Sequence, residues 1–219
     1  MSDPHVDRIR AQFTRQAETY AEMQQHDEAG LRLLVALAGA RASDRALDVA
    51  CGPGFLTLAF AKACAQARGV DATPAFVERA RRVAAERGIA NVSFVQGDVN
   101  ALPEDDASYD VVACRAAFHH FPDPARVCVG SHRRALPQAE LQRLFRAQGL
   151  ELVREPTSEL HYDVEEWIAH GGPDAATAAQ IRALLESSME GDRAGLAVYR
   201  RDGRLRFRHR TAAFTLRKP

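Results

Sequence analysis

The residues best suited to chemistry are three carboxylates and two glycines spaced along the first half of the chain. Asp48 lies in the short apolar run Arg45–Val49, and Gly52 and Gly54 follow it in the turn CGPGF. A turn without side chains lets a ligand approach the backbone closely, at the strand end where open α/β sheets bind ligands. Asp71 closes a second run, where a carboxylate can accept both ribose hydroxyls of an adenosine-containing ligand. Asp98 follows a third run, where a carboxylate can accept a hydrogen bond from an adenine amino group. Each has a structural alternative. The glycines make a tight strand-to-helix turn, Asp71 a helix cap before Thr73, and Asp98 a loop turn. Their joint occurrence at successive strand ends favours the ligand. His119 and His120 stand beyond a fourth run, DVVAC. Histidine titrates near neutrality, so either ring can act as a base, with His120 favoured; loop packing and solvent exposure are the alternative. Cys51 abuts the glycine turn without a paired histidine in sequence, so no nucleophile is assigned there.

These residues need a scaffold that alternates strands and helices. Strands are predicted over Arg45–Val49, Arg68–Asp71, Val92–Gln96 and Tyr109–Cys114, with helices from the CGPGF turn to about Cys64 and from Thr73–Pro74 to Gly88. Such alternation argues for a parallel sheet covered on both faces. Ahead of it, Asp3 and Pro4 open a helix whose Val6, Ile9, Phe13, Ala17 and Tyr20 share one face. A second helix carries Leu31, Leu34, Val35 and Ala38 and ends at Gly39. Behind the sheet come a helix over Ala139–Gln148, a strand over Leu150–Arg154, a helix capped by Asp163 and another from Asp174 to Met189. Asp202–Gly203 then turns a hairpin whose last strand runs from Leu205 to Thr215. Along it Arg204, Arg206, Arg208 and Arg210 share a face that suits solvent or phosphate. His161, Tyr162 and Trp167 line either a substrate pocket or a helix–sheet contact.

Composition narrows the class. At ~150 residues per domain, 219 residues fit one domain with additions. Hydrophobic residues are 46% and charged residues 26%, which excludes wholesale disorder. No apolar run is long enough to span a membrane. Twenty-nine basic residues balance twenty-nine acidic ones, so the arginine stripe reads first as a solvated face and nucleic acid is disfavoured. The four cysteines form no C-x-x-C pair and the amino terminus lacks a signal peptide, so a reduced, cytoplasmic protein without a metal site is expected.

Taken together, these segments resemble the class I S-adenosylmethionine-dependent methyltransferases, and within them the small-molecule branch of ubiquinone and menaquinone C-methyltransferases. The resemblance rests on LDVACGPG (47–54), GVDATPAFVERAR (69–81), VSFVQGDVNALP (92–103) and SYDVVACRAAFHHFPDP (108–124). It implies that Asp48, Gly52 and Gly54 hold the methionine end of S-adenosylmethionine, with Arg115 beneath that portion. It implies further that Asp71 binds ribose with Ala72 beside it, that Asp98 and the Val99 backbone bind adenine, and that Tyr20 closes over the cofactor. A nicotinamide dinucleotide fits less well. The third glycine of its fingerprint is replaced by Thr57, and Asp48 would face a pyrophosphate, whereas S-adenosylmethionine carries a cationic sulfonium and ammonium. The N-P-P-Y-type tetrapeptide of base-modifying methyltransferases is replaced by HHFP.

The resemblance also exposes a departure. After HHFPDP the family pattern continues with a helix, R-x-L-x-P-G-G, a fifth strand and a segment that helps close the substrate pocket. Only fifteen residues, Pro122 to Leu136, precede the helix at Pro137, too few for all of these. The sequence thus reads as a family member lacking an internal block. Either the terminal hairpin closes on the fourth strand, leaving a six-stranded sheet, or an exposed edge is covered by a second chain, making a homodimer.

The expectation is one α/β domain over 1–219 with a Rossmann-like, mostly parallel sheet, helices on both faces and a C-terminal antiparallel hairpin. Residues 1–40 form a helical cap, 41–128 the cofactor-binding half, and 129–219 the substrate side with the last strands. The expected activity is methyl transfer to a small, apolar or aromatic metabolite. Cofactor binding without turnover and RNA methylation through the arginine stripe are the alternatives.

Overall fold

The structure, a computed structural model, describes residues 11, 14, 28–99, 101, 102, 104, 105, 107–117, 138–192 and 195–219. Tyr20, His119 and His120 lie outside the described residues, as do most of the first expected helix and the stretch where the internal block is missing. The chain gathers into two compact units, one of residues 1–154 with 215–219 and the other of 155–214.

The first unit holds α1 (Glu28–Ala38), β1 (Arg45–Val49), α2 (Phe55–Ala61), β2 (Gln66–Asp71), α3 (Pro74–Glu86), β3 (Val92–Gln96) and β4 (Val111–Ala113). The strands form a parallel sheet in the order β3-β2-β1-β4. β1 is central, and its alternation serves two faces. Ala46 joins Leu31, Leu56 and Phe60 on one side, while Leu47 and Val49 join Val70 and Ala117 on the other. Burying both faces removes the apolar surface of β1 from water and fixes its register. The Asn91 side chain donates to the carbonyls of Ala61 (2.7 Å) and Cys64 (3.1 Å), tying the end of α2 to the start of β3.

The unit continues with α4 (Gln138–Ala147) and β5 (Glu151–Arg154), which pairs antiparallel with β9 (Thr215–Arg217). Among the described residues, no strand lies beyond β4.

The second unit contains β6 (Thr157–Asp163), α5 (Val164–Gly171), α6 (Ala175–Ser187), β7 (Tyr199–Arg201) and β8 (Arg204–Ala212). Its antiparallel sheet runs β6-β8-β7 over a core of Val164, Ile168, Leu185 and Phe207. Asp163 caps α5 as its sequence suggests, accepting from the amides of Glu165 (3.0 Å) and Glu166 (3.2 Å). Asp174 does the same for α6 through Thr177 (2.7 Å).

Two expectations are corrected. Among the described residues the terminal hairpin pairs with β6, not with β4, and no six-stranded sheet is formed there. The last strand is not continuous from Leu205 to Thr215; it breaks at Ala213–Phe214, opposite Pro156, which has no N–H to donate to a ladder. β6 was not foreseen, because TSELHYD is exposed for most of its length and shows little apolar alternation.

Candidate active site

The cleft forms where β1 and β4 end. Asp48 lies on the same face of β1 as Ala46 and is only 2% exposed. The chain then turns left-handed at Ala50 (φ 56°), Gly52 (φ 54°) and Gly54 (φ 83°) and enters α2. This tight entry brings Thr57, in the first turn of α2, back over the strand. Its hydroxyl donates to Asp48 Oδ2 at 2.7 Å. Arg115, two residues past β4, lines the same cleft with Asp48 and Gly52. The described cleft has about 40 Å³ of room, enough for a few water-sized groups.

The two glycines have different tasks. A Cβ at Gly52 would meet nothing within 4 Å, so this position leaves the turn open beside the cleft. A Cβ at Gly54 would come 2.7 Å from the Phe94 ring and 2.8 Å from Ala80 Cβ, so Gly54 is required for packing against β3 and α3.

Asp71 supports the turn from behind. The Gly52 amide donates to its Oδ2 and the Thr73 amide to its Oδ1, both at 2.8 Å. The structural alternative for Asp71 therefore holds in part: it organises the entry to α3, whose Thr73 makes no side-chain cap bond of its own. The Gly97 amide donates to the Asp71 carbonyl at 3.0 Å, which brings the exit of β3 alongside. Asp98 and Val99 follow there, Asp98 exposed and Val99 packed against the core beside Leu47 and Val49. Ala72, Asp98 and Val99 stand at these neighbouring strand ends, outside the lining of the small cleft.

Burial dominates the electrostatics. Asp48 is pushed up to about 7, first by burial and then by the nearby Asp71 charge; the Thr57 hydroxyl and the Arg115 charge oppose the rise. Burial also raises Asp71, against the amides of Thr73 and Gly52. The Cys51 thiol is raised well above its usual value by burial and by both carboxylates, so it is no nucleophile at neutral pH.

Sequence reasoning missed Thr57 as a partner of Asp48, having weighed it only as the absent third glycine. The signal was its place in the first helical turn after a tight bend. It also missed Ala50 and Ala116, which line the cleft with left-handed backbones (φ 56° and 53°) at the exits of β1 and β4. Such strain tends to gather at functional sites. Replacing Ala50 by glycine is expected to raise stability by about 0.5–1 kcal/mol by relieving that conformation, as read from denaturant unfolding.

The arginine stripe of β8 is paired unevenly. Arg204 pairs with Asp163 (2.8 Å) and Glu166 (3.1 Å), and Glu159 serves Arg208 (3.4 Å) and Arg210 (3.8 Å). Tyr162 stacks on Phe207, its partner across the β6–β8 ladder, and Trp167 of α5 meets the same ring edge-on, so Tyr162 belongs to cross-strand packing and Trp167 to helix–sheet packing. Among the described residues, no cluster could hold a metal ion, and no helix is long and apolar enough to cross a membrane.

Comparison with known proteins follows this geometry. A family described as a methyltransferase domain matches residues 40–192. The uncharacterized methyltransferase YcgJ of Bacillus subtilis is 40% identical over 127 residues, covering 58% of this chain and 50% of that protein. A ubiquinone biosynthesis O-methyltransferase of Acinetobacter baylyi is 36% identical over 91 residues, 41% of this chain and 38% of that protein. The chain thus spans half or less of the length of these two curated relatives. The crystal structure of YcgJ superposes with a TM-score of 0.76 at 27% identity, covering 85% of this chain and 96% of that one.

Proposed function

We propose, because this chain belongs to the methyltransferase domain family, that it transfers a methyl group from S-adenosylmethionine to a small, apolar or aromatic metabolite. The observation that carries this reading is the opposed pair Asp48 and Arg115 in one cleft beside the open turn at Gly52. A buried carboxylate and a guanidinium together complement the ammonium and carboxylate of an amino acid, the chemistry of the methionine end. When bound, S-adenosylmethionine supplies a methyl group already activated by its positive sulfur.

The residues of the chain bind, orient and move a proton. Asp48 would hold the ammonium and Arg115 the methionine portion. Gly52 lets the ligand approach, while Gly54 keeps the turn tight. Asp71 uses its remaining lone pairs for the ribose hydroxyls, with Ala72 beside them. Asp98 would accept from the adenine amino group, the Val99 backbone would meet the ring, and Tyr20 would close over the cofactor. His120, or His119, removes the proton where the acceptor is a hydroxyl. Most of the rate enhancement is positioning of donor and acceptor in line. An aromatic hydroxyl acceptor draws support from the relatives named for O-methylation in ubiquinone biosynthesis. In this reading residues 41–128 form the cofactor half and 129–219 the acceptor half. The reading includes a cytoplasmic setting, in line with four cysteines that form no C-x-x-C pair. The zero net charge of the chain argues against an RNA acceptor.

Incubation with S-adenosylmethionine and a panel of phenols and quinols tests the reading. Formation of S-adenosylhomocysteine with a product heavier by one methylene is expected. Cofactor binding without product from any acceptor would reduce the chain to a binding protein.

A further inference from the structure

The second unit carries a concavity far larger than the cleft at the glycine turn. Its volume is about 570 Å³, within the ~300–1,000 Å³ usual for small-molecule sites. One side comes from the sheet. His161 of β6 faces Arg208 of β8 across the ladder, and Tyr199 and Arg201 of β7 stand two residues apart. His161 Nδ1 and the Tyr199 hydroxyl share a hydrogen bond of 2.8 Å, with their rings edge-to-face. That bond fixes two flat rings beside the guanidinium groups. The other side comes from the end of α6 and the segment before β7, where Met189 and Val198 add apolar surface.

Two further features mark a built site. Asp192 (φ 46°) and Ala197 (φ 44°) hold left-handed backbones at its border. Asp192 Oδ1 accepts from the amides of Leu196 (3.0 Å) and Ala197 (2.8 Å), which offsets its charge. The carboxylates near the arginines engage them loosely: Glu159 meets Arg208 at 3.4 Å, and Asp202 meets Arg201 at 3.8 Å. Pairs this long between exposed side chains contribute little, so the guanidinium groups remain competent for a better-aligned acid.

We propose that this concavity binds a small aromatic carboxylate, its acid on Arg208 and its ring among His161, Tyr199, Met189 and Val198. The site stands on residues of 155–214 alone and does not depend on the methyl-transfer reading.

Ligand-observed NMR titration of the full chain with benzoate, benzyl alcohol and inorganic phosphate tests it. Benzoate is expected to saturate, with benzyl alcohol and phosphate each binding at least about tenfold more weakly, since each lacks one half of the recognition. Arg208→Gln is expected to weaken benzoate about tenfold and Tyr199→Phe less. Arg217→Gln, which removes an exposed arginine from β9, is expected to leave binding unchanged. The proposal is overturned if benzoate does not saturate, if benzyl alcohol or phosphate binds as tightly, or if Arg208→Gln has no more effect than Arg217→Gln.

Discussion

Asp71→Asn is expected to destabilise the chain by about 1–3 kcal/mol and to weaken S-adenosylmethionine at least about tenfold. The reason is a count of donors. The amides of Gly52 and Thr73 each donate to a different oxygen of Asp71. Asparagine keeps one acceptor and sets an NH₂ group against the other amide, and at a site 7% exposed water cannot relieve the clash. The glycine turn then loses its support from behind, and one ribose acceptor goes with it. Denaturant unfolding reads the first effect and calorimetric titration the second. A variant as stable as the parent, with unchanged affinity, would show that Asp71 neither braces the turn nor meets the ligand.

Asp48→Asn is expected to separate stability from binding. Asp48 titrates at about 7 in the folded chain, against 3.8 ordinarily, so between these values the folded state holds a proton that the unfolded state has released. Stability contributed by this group therefore falls as pH rises through that window and stays low above about 7. Asparagine removes the ionisation penalty, which at about 1.36 kcal/mol per pKa unit is at most about 4 kcal/mol. The variant should thus be more stable than the parent at pH 8 and little changed at pH 4. Binding should move the opposite way. A cation beside Asp48 favours the carboxylate, so wild-type affinity should rise about tenfold between pH 5.5 and 7, below the range in which an α-amino group titrates. The variant should bind more weakly at pH 7 with a flat profile over that range. Equal pH profiles for the two proteins would remove Asp48 from the site.

The parallel half was legible because its signals are local and doubly determined. Arg45–Val49 and Val92–Gln96 are short apolar runs between turn residues, and both appear as strands with those bounds. Asp48, Gly52 and Arg115 meet in one cleft because neighbouring strands of a parallel sheet end on the same side. What the sequence hid was role. Gly54 and Asp71 looked like direct ligand contacts, yet each first serves the fold: one by fitting against Phe94, the other by holding two amides. Thr57 carried no motif at all, since a hydroxyl that faces a buried acid is visible only once the helix folds back on the strand. The second unit was the least legible. β6 is mostly exposed, and its register with β8 comes from pairing rather than from apolar alternation. Cross-strand carboxylates, distant in sequence, turned the arginine stripe into a set of ion pairs.

The most direct test of the central claim is calorimetric titration of the full chain with S-adenosylmethionine at pH 6.5, run in two buffers of different ionisation enthalpy. One site is expected, with binding accompanied by the release of a fraction of a proton as Asp48 ionises. A folded chain that takes up no S-adenosylmethionine would contradict the assignment of the cleft.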